Sequence, residues 1–129
     1  RKEADYRDFM QDVAADLADT IHLAEAAGIA DEKIILDPGV GFGKTYENNL
    51  EISNCLEELN MFGYPLLLGC SRKSVIGLTL DLPVTERVEG TLVTTMFGVQ
   101  KGCMFVRVHD VKENVRTIKM CEAILNSSN

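Results

Sequence analysis

Three glycines at alternating positions, Gly39, Gly41 and Gly43, follow directly on the apolar run Ile34-Ile35-Leu36 and the pair Asp37-Pro38. The run is short, β-branched and uninterrupted, as expected of a strand buried on both faces. Backbone with a glycine at every second position is too irregular for the interior of a helix or strand. Asp37 is therefore expected at a buried strand end, where α/β proteins place site residues. An acid in that position needs a partner to offset its desolvation.

The rest of the chain repeats this arrangement. Over residues 5–27, Phe9, Val13, Leu17, Ile21 and Ala24 recur at helical spacing, with Asp8, Asp12, Asp16 and Asp19 on other faces and Gly28 as the stop. Beyond the glycine loop, Leu50, Leu56, Leu59 and Phe62 predict a second helix closed by Gly63 and Pro65. Leu66-Leu67-Leu68 predicts a second buried strand, leading into Ser71-Arg72-Lys73-Ser74, where either serine could cap a short helix toward Leu80. Thr85 opens a longer helix through Val88, Leu92, Met96 and Val99 to Gly102. Met104-Phe105-Val106-Arg107-Val108 predicts the third strand, and Asp110 with Glu113 has the spacing of a capping pair for a last helix through Val115, Ile118 and Leu125. Strand, loop and helix thus alternate three times after a leading helix, the rhythm of right-handed parallel crossovers. Polar residues gather after every strand.

Composition narrows the function classes. The 129 residues, 46% of them hydrophobic, make about one domain and contain no apolar run approaching a membrane span. A net charge of −7 argues against nucleic-acid or anionic-membrane partners, so an anionic substrate must be held by a local cluster of donors. Cys55, Cys70, Cys103 and Cys121 are far apart and form no C-x-x-C pair, which predicts reduced thiols of a cytoplasmic protein rather than disulfides or metal ligands. No secretory signal opens the chain, and the charged start Arg1-Lys2-Glu3, without an initiator Met, suggests a beginning inside a longer protein.

Two nucleotide motifs fail on spacing. A P-loop needs four residues between its first glycine and Gly-Lys-Ser/Thr, whereas Gly39 to Gly43-Lys44-Thr45 leaves three and Pro38 occupies the required glycine position. The dinucleotide fingerprint G-x-G-x-x-G is not met by G-x-G-x-G. A simple tight turn is the plain alternative for this loop. Ser71-Arg72-Lys73-Ser74 sets two cations and two hydroxyls at an expected helix start, which suits an anion and equally a solvated capped turn. Arg107 and His109 lie two apart on an extended segment and so point the same way. A cation within an apolar run needs an anionic partner, and this pair reads as anion binding in preference to a structural ion pair. His22, in the leading helix, reads as an ordinary surface or core histidine.

Taken in order, Leu36-Asp37-Pro38-Gly39-Val40-Gly41-Phe42-Gly43-Lys44, Gly69-Cys70-Ser71-Arg72-Lys73-Ser74 and Arg107-Val108-His109-Asp110-Val111 resemble the dihydropteroate synthase family of folate biosynthesis, the target of sulfonamides. The resemblance implies the C-terminal half of a pterin-binding TIM (β/α)8 barrel over residues 1–129. It assigns three parallel strands equivalent to strands 6 to 8, with the N-terminal half absent. It implies a transferase joining (7,8-dihydropterin-6-yl)methyl diphosphate to 4-aminobenzoate, with release of diphosphate.

On this resemblance Asp37 binds the pterin edge and Lys73 contacts both pterin and 4-aminobenzoate. Phe42 and Ser74 contact the 4-aminobenzoate, and Arg107 and His109 hold the diphosphate, with Lys73, Arg107 and His109 as the catalytic group. Mg²⁺ is implied, but this chain shows no carboxylate cluster of its own, so the metal ligands are expected mostly outside it. A full barrel takes ~250 residues, so the segment alone is expected to be inactive and to associate as a homo-oligomer. Two alternatives are a methyltetrahydrofolate-dependent methyltransferase barrel, which needs no diphosphate site, and a non-catalytic assembly module.

Overall fold

The computed structural model describes residues 3–127, with side chains from Phe9 onward; Arg1, Lys2 and the side chain of Asp8 lie outside the described residues. The first element is α1 (Glu3–Ala26), whose Val13, Leu17 and Ile21 are buried together with Met10, as their spacing predicts. It ends where Gly28, at φ +79°, returns its amide to the Glu25 carbonyl.

The expected second helix divides. Residues Tyr46–Asn54 form α2, and after Cys55 (φ −115°, ψ 19°) the chain tightens into a 3₁₀ turn over Leu56–Phe62. Leu56 and Leu59 are buried, but Leu50 faces solvent, and α2 instead buries Ile52 and Asn49. Next come β1 (Leu67–Leu68), α3 (Ser74–Leu80), α4 (Val88–Gln100), β2 (Phe105–Val106) and α5 (Val111–Leu125).

Where three strands are expected, two form. β1 and β2 pair in parallel, Leu67 with Phe105 and Leu68 with Val106, and the 34–36 segment joins them through a single parallel bridge at Leu36–Leu66. Leu36 donates to Pro65 O and accepts from Leu67 N, after which Pro38 interrupts any further ladder because it has no N–H. The parallel order of the three segments is nevertheless the expected one.

Alternation along these segments separates two faces. Leu36, Leu66 and Leu68, none more than 3% exposed, pack with α1, α2 and α3 residues into one core cluster. On the other face Ile35 (48% exposed) and Phe105 (46% exposed) are open to solvent.

The long helix α4 departs from its predicted register. Its buried residues are Thr91, Thr95 and Gly98, while Val88, Leu92, Met96 and Val99 are only half-buried. Gly98 lies against Leu68, since a methyl there would sit 3.1 Å from Leu68 Cδ2, and Thr95 Oγ1 donates to Asn114 Oδ1 on α5 at 2.6 Å. The expected caps also fail. Lys73 occupies the N-cap of α3 with no side-chain bond from either serine, and Asp110 precedes α5 without capping it, because the side chains of Ser71 and Asp110 are engaged elsewhere.

Candidate active site

The loop after residue 36 is built from its own polar groups. Asp37 Oδ1 accepts the amide of Gly39 at 2.8 Å, an Asx turn, and the Asp37 side chain is exposed instead of desolvated as the strand-end reading requires. Gly39, Gly41 and Gly43 all have positive φ, at +74°, +91° and +65°, conformations that side chains resist. Gly41 N donates to Asn49 Oδ1 at 2.8 Å, and Asn49 is only 3% exposed on α2, so a buried amide anchors the loop's centre. Lys44 Nζ ties the Gly39 and Phe42 carbonyls at 3.0 and 3.2 Å.

Lys73, at the N-cap of α3, extends back across this loop. Its ammonium donates to the Val40 carbonyl and lies 4.7 Å from the centroid of the Phe42 ring, a cation–π contact. Gly41 leaves the room for it: a Cβ there would stand 3.2 Å from Lys73 Cδ. Burial lowers the Lys73 ammonium below the ordinary lysine value. Cys70 and Asp37 oppose that shift, and Arg107 and Lys44 add to it. Arg107, exposed after β2, approaches from the other side. A Cβ on Gly69 would lie 3.6 Å from Arg107 Nη2 and 3.8 Å from Lys73 Nζ, so the two cations converge over a glycine. No carboxylate among the described residues pairs with Arg107.

His109 is held by the turn that follows β1. Ser71 Oγ lies 2.8 Å from His109 Nδ1 and accepts the backbone N–H of His109 at 3.0 Å. Arg72 binds both carboxylate oxygens of Asp110, at 2.9 and 3.4 Å, and these hydrogen bonds hold the Asp110 carboxyl below its usual range. Arg72 itself sits at φ +56°, unusual for a residue with a side chain, and its backbone is pinned at both ends. Its N–H donates to Thr91 Oγ1 at 3.1 Å, and its carbonyl accepts from Arg87 Nη1 at 2.9 Å.

The structure therefore brings Asp37, Phe42, Lys73, Arg107 and His109 to the C-terminal ends of three adjacent parallel segments. Ser74 begins α3 beside them, exposed. The supporting residues Asn49, Thr91 and Arg87 carry no sequence signal of their own. An apolar concavity of about 290 Å³ between α2, α3 and α4, lined by Val75, Ile76, Val93 and Phe97 among others, lies on the helical side, and none of these site side chains lines it.

The fit to a metal ion is poor. Among the described residues no three His, Cys, Asp or Glu side chains gather as ligands, and the two nearest acids are committed to Gly39 N and Arg72. The described residues do not make a Mg²⁺ site.

Comparison with known proteins gives this constellation its relatives. A family model described as pterin binding enzyme matches residues 1–109. Over 126 residues the chain is 56% identical to a dihydropteroate synthase of Clostridium beijerinckii, covering 97% of this chain and 47% of that protein. It is 51% identical to one of Bacillus subtilis, covering 98% and 44%. The chain thus spans about half the length of the curated relatives it matches. Among solved structures, a dihydropteroate synthase of Coxiella burnetii in complex with pteroic acid superimposes with a TM-score of 0.91 at 34% identity, over 95% of this chain and 46% of that one. A Yersinia pestis dihydropteroate synthase with a sulfonamide drug gives 0.90 at 39% identity, over 93% and 44%. With the match to the family model covering most of the 129 residues, the chain belongs to the pterin binding enzymes.

Proposed function

We propose that this chain is the C-terminal half of a dihydropteroate synthase barrel, contributing its last three strands and part of its active site. The observation that carries the reading is the convergence of Lys73 and Arg107 over Gly69, flanked by Asp37 on one side and His109 on the other. A carboxylate, two cations and an imidazole in one row at strand ends match a substrate with a guanidine-like edge at one end and a diphosphate at the other.

Asp37 accepts two parallel N–H bonds from the aminopyrimidine edge of the pterin. Lys73 borders pterin and 4-aminobenzoate, and Phe42, already packed against the Lys73 ammonium, contacts the aminobenzoate ring together with Ser74. Arg107 and His109 bind the diphosphate. In the reaction the C–O bond to diphosphate breaks with its electron pair leaving on the phosphate oxygen, the pterin ring stabilises the resulting methylene cation, and the aromatic amine closes the new C–N bond and releases a proton to solvent. The residues need only position the partners and stabilise the departing charge. The Mg²⁺ expected of such an enzyme would draw its ligands from outside these residues. A homo-oligomeric, cytoplasmic protein is the setting that fits this reading, and no helix among the described residues is long and apolar enough to cross a membrane.

The test is a pair of substitutions in the protein at its full natural length. Asp37→Asn turns one acceptor into a donor facing the pterin and, at about 2 kcal/mol for a charge-assisted bond, lowers pterin affinity at least tenfold. Arg107→Ala weakens the diphosphate substrate far more than a pterin lacking phosphates. Calorimetry with both ligands decides: unchanged pterin affinity in the first variant, or equal losses in the second, overturns the assignment.

A further inference from the structure

We propose that Ser71 is a positioning residue that fixes His109 as its Nε2–H tautomer, so that an uncharged imidazole donates a hydrogen bond to the anion bound beside Arg107. The proposal rests on the diphosphate reading of Arg107 and His109 and specifies how the histidine takes part.

The argument is one of proton accounting. Ser71 is 8% exposed, and both of its side-chain hydrogen bonds go to His109, 38 residues further along the chain. The backbone N–H of His109 can only donate, so in that 3.0 Å contact the serine oxygen is the acceptor. The hydroxyl's own proton then has one partner within reach, His109 Nδ1 at 2.8 Å. With Oγ–H donating to Nδ1, that nitrogen is bare and the neutral ring carries its proton on Nε2. The opposite arrangement, Nδ1–H donating to Oγ, would crowd two donors onto one oxygen and leave the hydroxyl proton without an acceptor in a nearly closed position, which is costly. The two bonds also act as a clamp, since one fixes the histidine backbone and the other its ring.

The outcome matters for anion binding. An imidazole free to exchange tautomers presents a lone pair to a phosphate for part of the time, which repels it. A ring locked with Nε2–H outward always presents a donor. His109 is exposed and lies two residues after Arg107, which is exposed as well, both beyond the end of β2. Ser71 belongs to the turn that leads into Lys73, so one turn orients both the lysine and the histidine. Neither serine of that turn caps α3, which frees Ser71 for this role.

The test uses the protein at its full natural length, labelled with ¹⁵N-histidine, and inorganic pyrophosphate as the probe. Long-range ¹H–¹⁵N spectra of the unliganded protein, with the His109 signals assigned by their loss in His109→Gln, are expected to show Nε2 protonated and Nδ1 bare. Ser71→Ala is expected to shift those signals toward a tautomer mixture and to weaken pyrophosphate about fivefold, the worth of one ordinary hydrogen bond. It should leave a pterin without phosphates unaffected, and Ser71→Thr, which keeps the hydroxyl, should restore both readouts. A wild-type spectrum with Nδ1 protonated, or a Ser71→Ala protein that keeps both tautomer and pyrophosphate affinity, overturns the proposal. If the wild-type protein binds no pyrophosphate, the diphosphate reading falls and the anion half of this proposal with it. The spectra alone still decide whether Ser71 sets the ring.

Discussion

Lys73 shows how closely its environment prescribes a single side chain in this site. Its stem passes Gly41, its ammonium meets a carbonyl and an aromatic face, and burial lowers its proton affinity. Gly41→Ala is therefore expected to do two things. It strains a backbone held at φ +91°, at about 1 kcal/mol, and it pushes Lys73 away from Val40. Gly43→Ala shares the first effect, at φ +65°, but meets no neighbour within 4 Å. Both variants should lower the melting temperature of the full-length protein, and only Gly41→Ala should also cut pterin affinity; equal affinity losses would count against the Lys73 placement. Asp110 gives a pH-dependent counterpart. Its carboxyl titrates lower in the folded state, so the Arg72 pair stabilises the protein above the ordinary carboxylate value of about 3.9 and is lost as pH falls through the lower folded value. The stability gap between wild type and Asp110→Asn, followed by denaturant titration, should be widest above pH ~5 and close toward pH ~2. The placement of Asp37, Lys73, Arg107 and His109 was legible in the sequence because Asp37, Lys73 and His109 come after apolar runs and Arg107 interrupts one. What Ser71 and Asp110 do was not, since capping propensity is local and both side chains took partners 38 residues away.

At the scale of elements, the sequence located the five α-helices of the described residues but misread the buried faces of α2 and α4 and the boundaries at Cys55 and Val88. In α4 the apolar residues Val88, Leu92 and Met96 are only half-buried, and the helix turns Thr91 and Thr95 inward, where Thr91 Oγ1 accepts the Arg72 N–H and α5 offers Thr95 a partner. Thr95 Oγ1 donates to Asn114 Oδ1, and Asn114 Nδ2 donates to the Asp110 carbonyl at 2.8 Å, at the start of α5. Polar residues can line a buried helix contact when each is satisfied, and no sequence window of one helix reveals its partner on another. Thr95→Val keeps the shape and removes the donor, leaving the Asn114 oxygen, in a residue 1% exposed, without its bond. A loss of about 1–3 kcal/mol in unfolding free energy is expected. Because Asp110 lies at that same helix start, the substitution should also loosen the Arg72 pair. Unfolding curves that coincide with wild type would show the contact to be expendable. The second helix divided at Cys55, whose backbone leaves the α-helical range, and the 3₁₀ turn beyond it still buries Leu56 and Leu59.

For the whole molecule, the decisive fact is that one sheet face is covered and the other is bare. The helices seal Leu36, Leu66 and Leu68, while Ile35, Phe105 and the neighbouring Met104, the last 70% exposed, face outward. The 34–36 segment on one side and β2 on the other are also unpaired along their outer edges among the described residues. In a closed barrel such residues fill the interior and such edges do not exist. The dihydropteroate synthases matched here are about twice as long as this chain, which is consistent with that requirement. A polypeptide of these 129 residues alone is thus expected to bury the bare face and edges against another copy, since parallel edges and exposed apolar side chains are the surfaces that drive association. The net charge of −7 opposes close approach only at low ionic strength, so added salt should favour the assembled form. Sedimentation velocity across a concentration series should show a mass above that of one chain, rising with concentration and salt, and the sample should lack dihydropteroate synthesis. A monodisperse monomer with cooperative unfolding and normal turnover would show instead that three parallel segments and their helices suffice for both the fold and the chemistry.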